Sequence, residues 1–184
     1  MANEKNVVLG SGKLFITEAV ITNGVVTVPE DATIEVEANR IGAVSGGATL
    51  TYKPTFYTAE DDLGEVKVTR LQKEEVTLKS GIMKWNYEAL QKLASTARST
   101  TVEGITTIKL GGTKNDDGKV YIVRFLHEDA AQGDIRITIA GSNTSGFELA
   151  FSQDKETVVD MEFAAHPIDA EGTLVLYSEG KATA

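Results

Sequence analysis

A two-residue period limits what this chain can fold into more than any other feature. Asp134-Ile135-Arg136-Ile137-Thr138-Ile139 alternates polar and apolar side chains without a fault. Only an extended strand places every second side chain on one buried face. Thr33-Ile34-Glu35-Val36-Glu37, Glu65-Val66-Lys67-Val68-Thr69 and Val159-Asp160-Met161-Glu162-Phe163 repeat the pattern. Further strands are predicted at Lys13–Thr17, Val25–Val28, Thr49–Tyr52, Val76–Ile82, Ile105–Leu110, Phe147–Phe151 and Thr173–Tyr177. Val120-Tyr121-Ile122-Val123-Arg124-Phe125 is apolar on both sides, as a central strand covered on both faces should be.

Turn residues punctuate these runs. Asn23-Gly24 and Asp117-Gly118 stand where tight hairpins need positive φ, which Gly, Asn and Asp accept cheaply. Asn143–Gly146 and Asp169–Gly172 read as longer connections. Tyr52–Gly64, with Pro54, the pair Phe56-Tyr57 and the acidic run Glu60-Asp61-Asp62, reads as a long polar-tipped loop, and loops of that length in compact domains are usually functional or disordered.

One segment has a different period. After Asn86, the residues Leu90, Leu93, Ala94 and Ala97 follow the spacing of one helical face. Asn86 is a good N-cap, and Trp85 with Leu90 forms a candidate hydrophobic staple. The helix is expected at about Tyr87–Ala97, docked through Trp85, Leu90 and Leu93. Some ten short strands and one helix give a mainly β fold, with two packed antiparallel sheets in a β-sandwich or distorted barrel and one flanking α-helix near 87–97.

Composition narrows the functional classes. A length of 184 residues suits a single domain. The longest unbroken apolar runs, Val120–Val123 and Leu174–Tyr177, have four residues, against the roughly 20 of a membrane span. Glu4 and Lys5 stand where an export signal needs apolar residues, so no such signal is expected. The absence of cysteine excludes disulfides, thiolate metal sites and thiol nucleophiles. A net charge of −9 opposes tight wrapping of nucleic acid, which requires Lys and Arg to displace counterions.

Catalytic motifs are missing. Gly10-Ser11-Gly12-Lys13 looks like part of a phosphate loop, but Val7 replaces its first glycine and Leu14 its hydroxyl residue. His127-Glu128-Asp129, with Asp134 nearby, could offer metal-binding groups, but neighbouring strand residues point to opposite faces, and a solvated strand end is expected. His166-Pro167 marks a strand end or kink. Asn115-Asp116-Asp117-Gly118 lacks the alternating ligands and terminal Glu of a calcium loop. No enzyme activity, cofactor or metal is expected.

Three stretches resemble the major tail tube protein of long-tailed, non-contractile bacteriophages. They are Val8-Leu9-Gly10-Ser11-Gly12-Lys13-Leu14-Phe15, then Leu78-Lys79-Ser80-Gly81-Ile82-Met83-Lys84-Trp85-Asn86-Tyr87-Glu88-Ala89-Leu90, and Phe163-Ala164-Ala165-His166-Pro167-Ile168-Asp169 followed by Gly172–Tyr177. The resemblance spans nearly the whole chain. It implies a single tail-tube-like domain over 1–184, with arms at 1–13 and 178–184 and a long loop or hairpin at about 40–64 that reaches a neighbouring ring. It also implies a structural virion protein, made in the host cytoplasm and placed in the tail, whose hexameric rings stack into a tube. Its partners would be other copies of itself, a tape-measure protein, and tail terminator and baseplate proteins. DNA would pass through the lumen without specific binding, and no membrane would be involved.

Carried onto this chain, the resemblance places ring-stacking contacts at Phe56, Tyr57, Glu60, Asp61, Asp62 and Leu63. Six copies at −9 each would carry −54 per ring, a sign that repels DNA and lets it slide. The alternative reading is a non-enzymatic β-sandwich binding module, such as a carbohydrate-binding or virion decoration domain. Such a module would need a concave aromatic surface, and the chain has one Trp and 7% aromatic residues.

Overall fold

The computed structural model describes residues 11–130 and 132–180. Its elements run in the order β1 (Lys13–Glu18), β2 (Val20–Thr22), β3 (Val25–Thr27), α1 (Asp31–Ile34), β4 (Ala43–Glu60), β5 (Lys67–Lys84), α2 (Tyr87–Leu93), β6 (Arg98–Val102), β7 (Ile105–Lys109), β8 (Tyr121–His127), β9 (Asp134–Asn143), β10 (Val159–His166) and β11 (Leu176–Gly180). The protein is mainly β, and every strand pairing is antiparallel. The principal sheet has the order β1-β8-β9-β10-β5-β4, and β11 also pairs with β9. Hairpins β2–β3 and β6–β7 stand apart as two-stranded sheets.

β9 is the point at which the principal sheet turns on itself. One of its edges carries β8, and the other changes partner along its length, with β11 on Asp134–Thr138 and β10 on Ala140–Asn143. A Cβ on Gly141 would lie 2.1 Å from the Ala164 carbonyl oxygen, so only glycine permits the strands to approach this closely. The two halves then face each other. Leu14, Ile16, Val123, Phe125 and Ile139 from one half share a core with Val76, Leu78, Ile82, Val159, Met161 and Phe163 from the other. Among the described residues the sheet does not close into a barrel.

β8 is buried along nearly its whole length, which agrees with a sequence that is apolar on both faces except at Arg124 and His127. Val123 and Phe125 face the main core, while Ile122 and Leu126 face a second one with Phe15, Val26, Ile34, Ala140 and Ile168. The β2–β3 hairpin and α1 cover that second face. Asn23 and Gly24 make the turn between β2 and β3 with φ of 54° and 78°, as their sequence predicts.

α2 docks through Ala89, Leu90 and Leu93, all buried, and Trp85 packs half-buried against the same core. Asn86 caps the helix, its side-chain oxygen accepting the Ala89 N–H at 2.9 Å. The helix stops at Leu93, short of the expected Ala97. The Leu93 carbonyl is taken by the Asn143 amide at 2.8 Å, and Ala94 leaves in an extended conformation.

Several sequence expectations are corrected. Thr33–Glu37 is no strand; it holds the end of α1 and the start of a 3-10 turn at Glu37–Asn39. Its alternation is accidental, since Ile34 is buried while Val36 is exposed. The local structure is instead set by ion pairs. Asp31 and Glu35, one turn apart, both reach Arg124, with Glu35 Oε1 at 3.1 Å from Nη1. Glu35 Oε1 also lies 2.7 Å from Arg136 Nε, and Asp134 lies 3.1 Å from Arg136 Nη2. Hydrogen bonding to Glu35 raises the Arg136 pKa, against the effect of burial.

Phe147–Phe151 forms no strand, and of Thr173–Tyr177 only Leu176 and Tyr177 enter one. Asp117-Gly118 does not join two strands; its turn follows a 3-10 segment, with Asp116 and Asp117 accepting the N–H groups of Gly118 and Lys119. Of the expected arms, Lys13 opens β1 and Ser178–Gly180 pair with β9, while 1–10 and 181–184 lie outside the described residues.

Arg124 is buried, with its Nε also donating to Thr138 Oγ1 at 2.9 Å. Removing one member of a buried charge cluster leaves the others uncompensated. Arg124→Ala is therefore expected to cost about 3 kcal/mol in urea unfolding, whereas Asp31→Asn, on the exposed side of the cluster, should cost less than about 1 kcal/mol.

Candidate functional site

β4 and β5 are each 18 residues long, or about 60 Å at roughly 3.3 Å per residue. They pair from Ala43↔Lys84 at the root to Glu60↔Lys67 at the tip. Only the root half touches the core. Leu78, Ser80 and Ile82 are buried and Leu50 packs beside them, and Val76 is the last buried position toward the tip. Beyond it, every residue of β5 from Lys67 to Glu75 is exposed, as is every residue of β4 from Thr51 to Glu60 except Pro54, which is half-buried. A bare two-stranded ribbon thus projects about 25 Å from the body.

Local chemistry explains both the ladder and its irregularities. Gly46 and Gly47, with φ of 77° and 76°, form an insertion between Ser45 and Ala48. Positive φ is cheap only for glycine, and the Gly47 carbonyl accepts the Ser80 hydroxyl at 2.9 Å. A second register shift leaves Gln72 unpaired, since Thr55 faces Lys73 and Phe56 faces Leu71. Across the ribbon the Thr58 and Thr69 hydroxyls lie 3.0 Å apart, and Lys67 pairs with Glu60 at 3.2 Å. Tyr52 donates its hydroxyl to Glu74 at 2.5 Å, which raises the tyrosine pKa. Lys73 beside Glu75 lowers that carboxyl's pKa.

The residues expected to make ring-stacking contacts all fall on this ribbon. Phe56 and Tyr57 are each 59% exposed and point to opposite faces, and Leu63 at the tip is 81% exposed. Glu60 ends β4, and Asp61, Asp62 and Leu63 form the turn. Asp61 Oδ1 accepts the Val66 N–H at 2.7 Å and holds the turn closed. The long loop or hairpin expected at about 40–64 forms the outgoing strand of a hairpin, so that Tyr52–Glu60, read as a loop, is strand. Its first part belongs to the body, because Ile41 is buried and Val44 and Leu50 pack on the core.

Sequence reasoning passed over Tyr52, Val66, Val68 and Leu71, which add exposed apolar surface to the same ribbon. The signal was present as two β-prone runs of similar length, Thr51–Thr58 and Val66–Leu71, on either side of Asp61-Asp62-Leu63-Gly64. The same reasoning located β7 in Ile105–Leu110 but passed over β6, and so the hairpin the two form, which turns at Glu103-Gly104 with both φ positive and carries exposed Val102 and Ile105 at its tip.

His127, expected at a solvated strand end, is buried, its Nδ1–H donating to the Ser11 carbonyl at 2.8 Å. Among the described residues no group of three or more His, Asp and Glu gathers as a metal site. Among the described residues, no helix is long and apolar enough to cross a membrane. A shallow cleft of about 400 Å³ lies at the root of the ribbon, lined by Arg40, Ile41, Lys84 and Trp85 among others.

The ribbon beyond Val76 contributes nothing to either core. Replacing Pro54–Glu74 with Asn-Gly should leave a cooperatively folded body whose melting temperature lies within about 2 °C of wild type. Circular dichroism melting checks this, and loss of the cooperative transition would contradict it.

No protein-family model matches the chain and no curated protein matches it, so the functional reading rests on the geometry of the ribbon.

Proposed function

We propose that this chain is a structural, non-enzymatic subunit that assembles with copies of itself into stacked hexameric rings, forming the tail tube of a long-tailed, non-contractile bacteriophage. The observation that carries the reading is the projecting ribbon. A two-stranded hairpin with water on both faces is marginal by itself, yet this one exposes Tyr52, Phe56, Tyr57, Leu63, Val68 and Leu71. Exposed apolar surface of this kind marks a place where another protein docks.

Two further features support self-assembly. The principal sheet ends in β4 on one side, and that outer edge offers backbone groups to a neighbouring sheet, whereas the β1 edge is partly covered by the Ile41 N–H on the Leu14 carbonyl and the Lys92 ammonium on that of Ile16. The acidic balance of −9 per chain suits a conduit through which DNA slides unbound. The resemblance of Val8–Phe15, Leu78–Leu90 and Phe163–Asp169 with Gly172–Tyr177, taken together, supports the specific identity, and with it the tape-measure, terminator and baseplate partners. Phe56 and Tyr57 lie on opposite faces of the ribbon and Trp85 packs on the core, so these three do not form one concave surface. A carbohydrate-binding module gains no support from that arrangement.

Electron microscopy of the concentrated purified protein tests the proposal. Rings or tubes are expected for the wild-type chain, and only isolated protomers for the variant with Pro54–Glu74 replaced by Asn-Gly. A wild-type protein that stays monomeric at every concentration would overturn it.

A further inference from the structure

We propose that the cleft at the root of the β4–β5 ribbon is the socket that receives the ribbon's tip from a second copy of this chain. The inference rests on the self-assembly reading and adds to it the surface that accepts the ribbon. Socket and tip are chemically complementary. The cleft offers Trp85 and the edge of buried Ile41 as apolar lining, with Arg40 and Lys84 as two cations against a single carboxylate, Glu37. Gly42, at φ 132°, also lines it; a Cβ there would lie 1.8 Å from the Lys84 carbonyl oxygen, so the position takes no side chain.

The tip presents the matching groups. Leu63 is the most exposed of the large apolar side chains among the described residues, and Asp61, Asp62 and Glu65 surround it. A leucine seated against the Trp85 indole would bury apolar area that water now covers. Carboxylates beside it would meet Arg40 and Lys84 in charge-assisted hydrogen bonds. Lys84 makes no ion pair among the described residues, and Arg40 holds only an exposed partner, Glu37, at 3.4 Å, which a tip carboxylate can replace at little cost.

Placement fixes what such a contact builds. The Ala43↔Lys84 pair closes the ladder at the socket, and Glu60↔Lys67 closes it at the tip. Knob and socket therefore lie about 60 Å apart at opposite ends of one paired element, and the tip cannot fold back into its own cleft. Joining one copy's tip to another's root is a heterologous, head-to-tail contact, which leaves a free tip and a free socket at the two ends of any stack. Where the rotation between copies does not close a ring, such a contact propagates along one axis.

Charge reversal with rescue tests the socket. In Arg40→Glu/Lys84→Glu and in Asp62→Lys/Glu65→Lys, the concentration needed for polymerisation should rise about tenfold or more, since like charges then face each other across the contact. The chain carrying all four substitutions should recover to within about threefold of wild type. Leu63→Ser should weaken polymerisation without any change of charge. Circular dichroism melting confirms that each variant is folded, as these side chains are exposed. Wild-type polymers unaffected by either reversal would overturn the socket while leaving self-assembly intact, and so would a fourfold variant that fails to recover. A wild-type chain that never polymerises would overturn both.

Discussion

The β4–β5 ladder is longer than the body that could cover it, and most of the molecule's behaviour follows from that mismatch. From Ala43↔Lys84 to Tyr52↔Val76 the ladder packs on the main core, and burial of Val76, Leu78 and Ile82 pins its register. From Lys53↔Glu75 to Glu60↔Lys67 the same hydrogen bonds continue with water on both faces. Cross-strand pairs such as Thr58–Thr69 and Glu60–Lys67 each contribute only tenths of a kcal/mol to about one. The outer ribbon is held straight by its inner half and gains its full stability only when something covers it.

That arrangement requires a stiff root. β8 lies between two cores, and the β9 edge that switches from β11 to β10 brings the two halves of the sheet together. The buried guanidinium of Arg124 ties α1 to the outer face through Asp31 and Glu35, and Arg136 joins the same carboxylates. α2 is fixed at both ends, by the Asn86 cap and by the Asn143 amide on Leu93. The body is thus over-determined where the ribbon leaves it, and the ribbon tip is under-determined where a partner would meet it.

Legibility in the sequence followed the presence of a core. Where one face is buried, alternation located the element, as at β9 and β10, and a continuous apolar run located β8. The Asn86 cap and the Leu90–Leu93 face located α2. Reading failed where no core imposes alternation. The ribbon stretch Gln72–Glu75 is polar on both faces, so one 18-residue strand looked like two short ones. Pro54 and the acidic run looked like a loop, although an edge strand tolerates proline because its outward N–H is not needed. Thr33–Glu37 failed for the opposite reason, since ion pairs to Arg124 and Arg136 from distant strands decide its conformation. The root cleft was invisible, because Arg40 and Lys84 are far apart in sequence and are brought together only by the ladder.

Backbone hydrogen exchange resolved by segment tests most directly whether the outer ribbon exists to be covered by another copy. In dilute protein the amides of residues 53–73 should exchange far faster than those of β8 and β9, because opening the bare ribbon costs little. On concentration into assembled protein, the same amides should slow by about 100-fold or more while β8 and β9 change little. Identical exchange of 53–73 in dilute and concentrated samples would contradict the account.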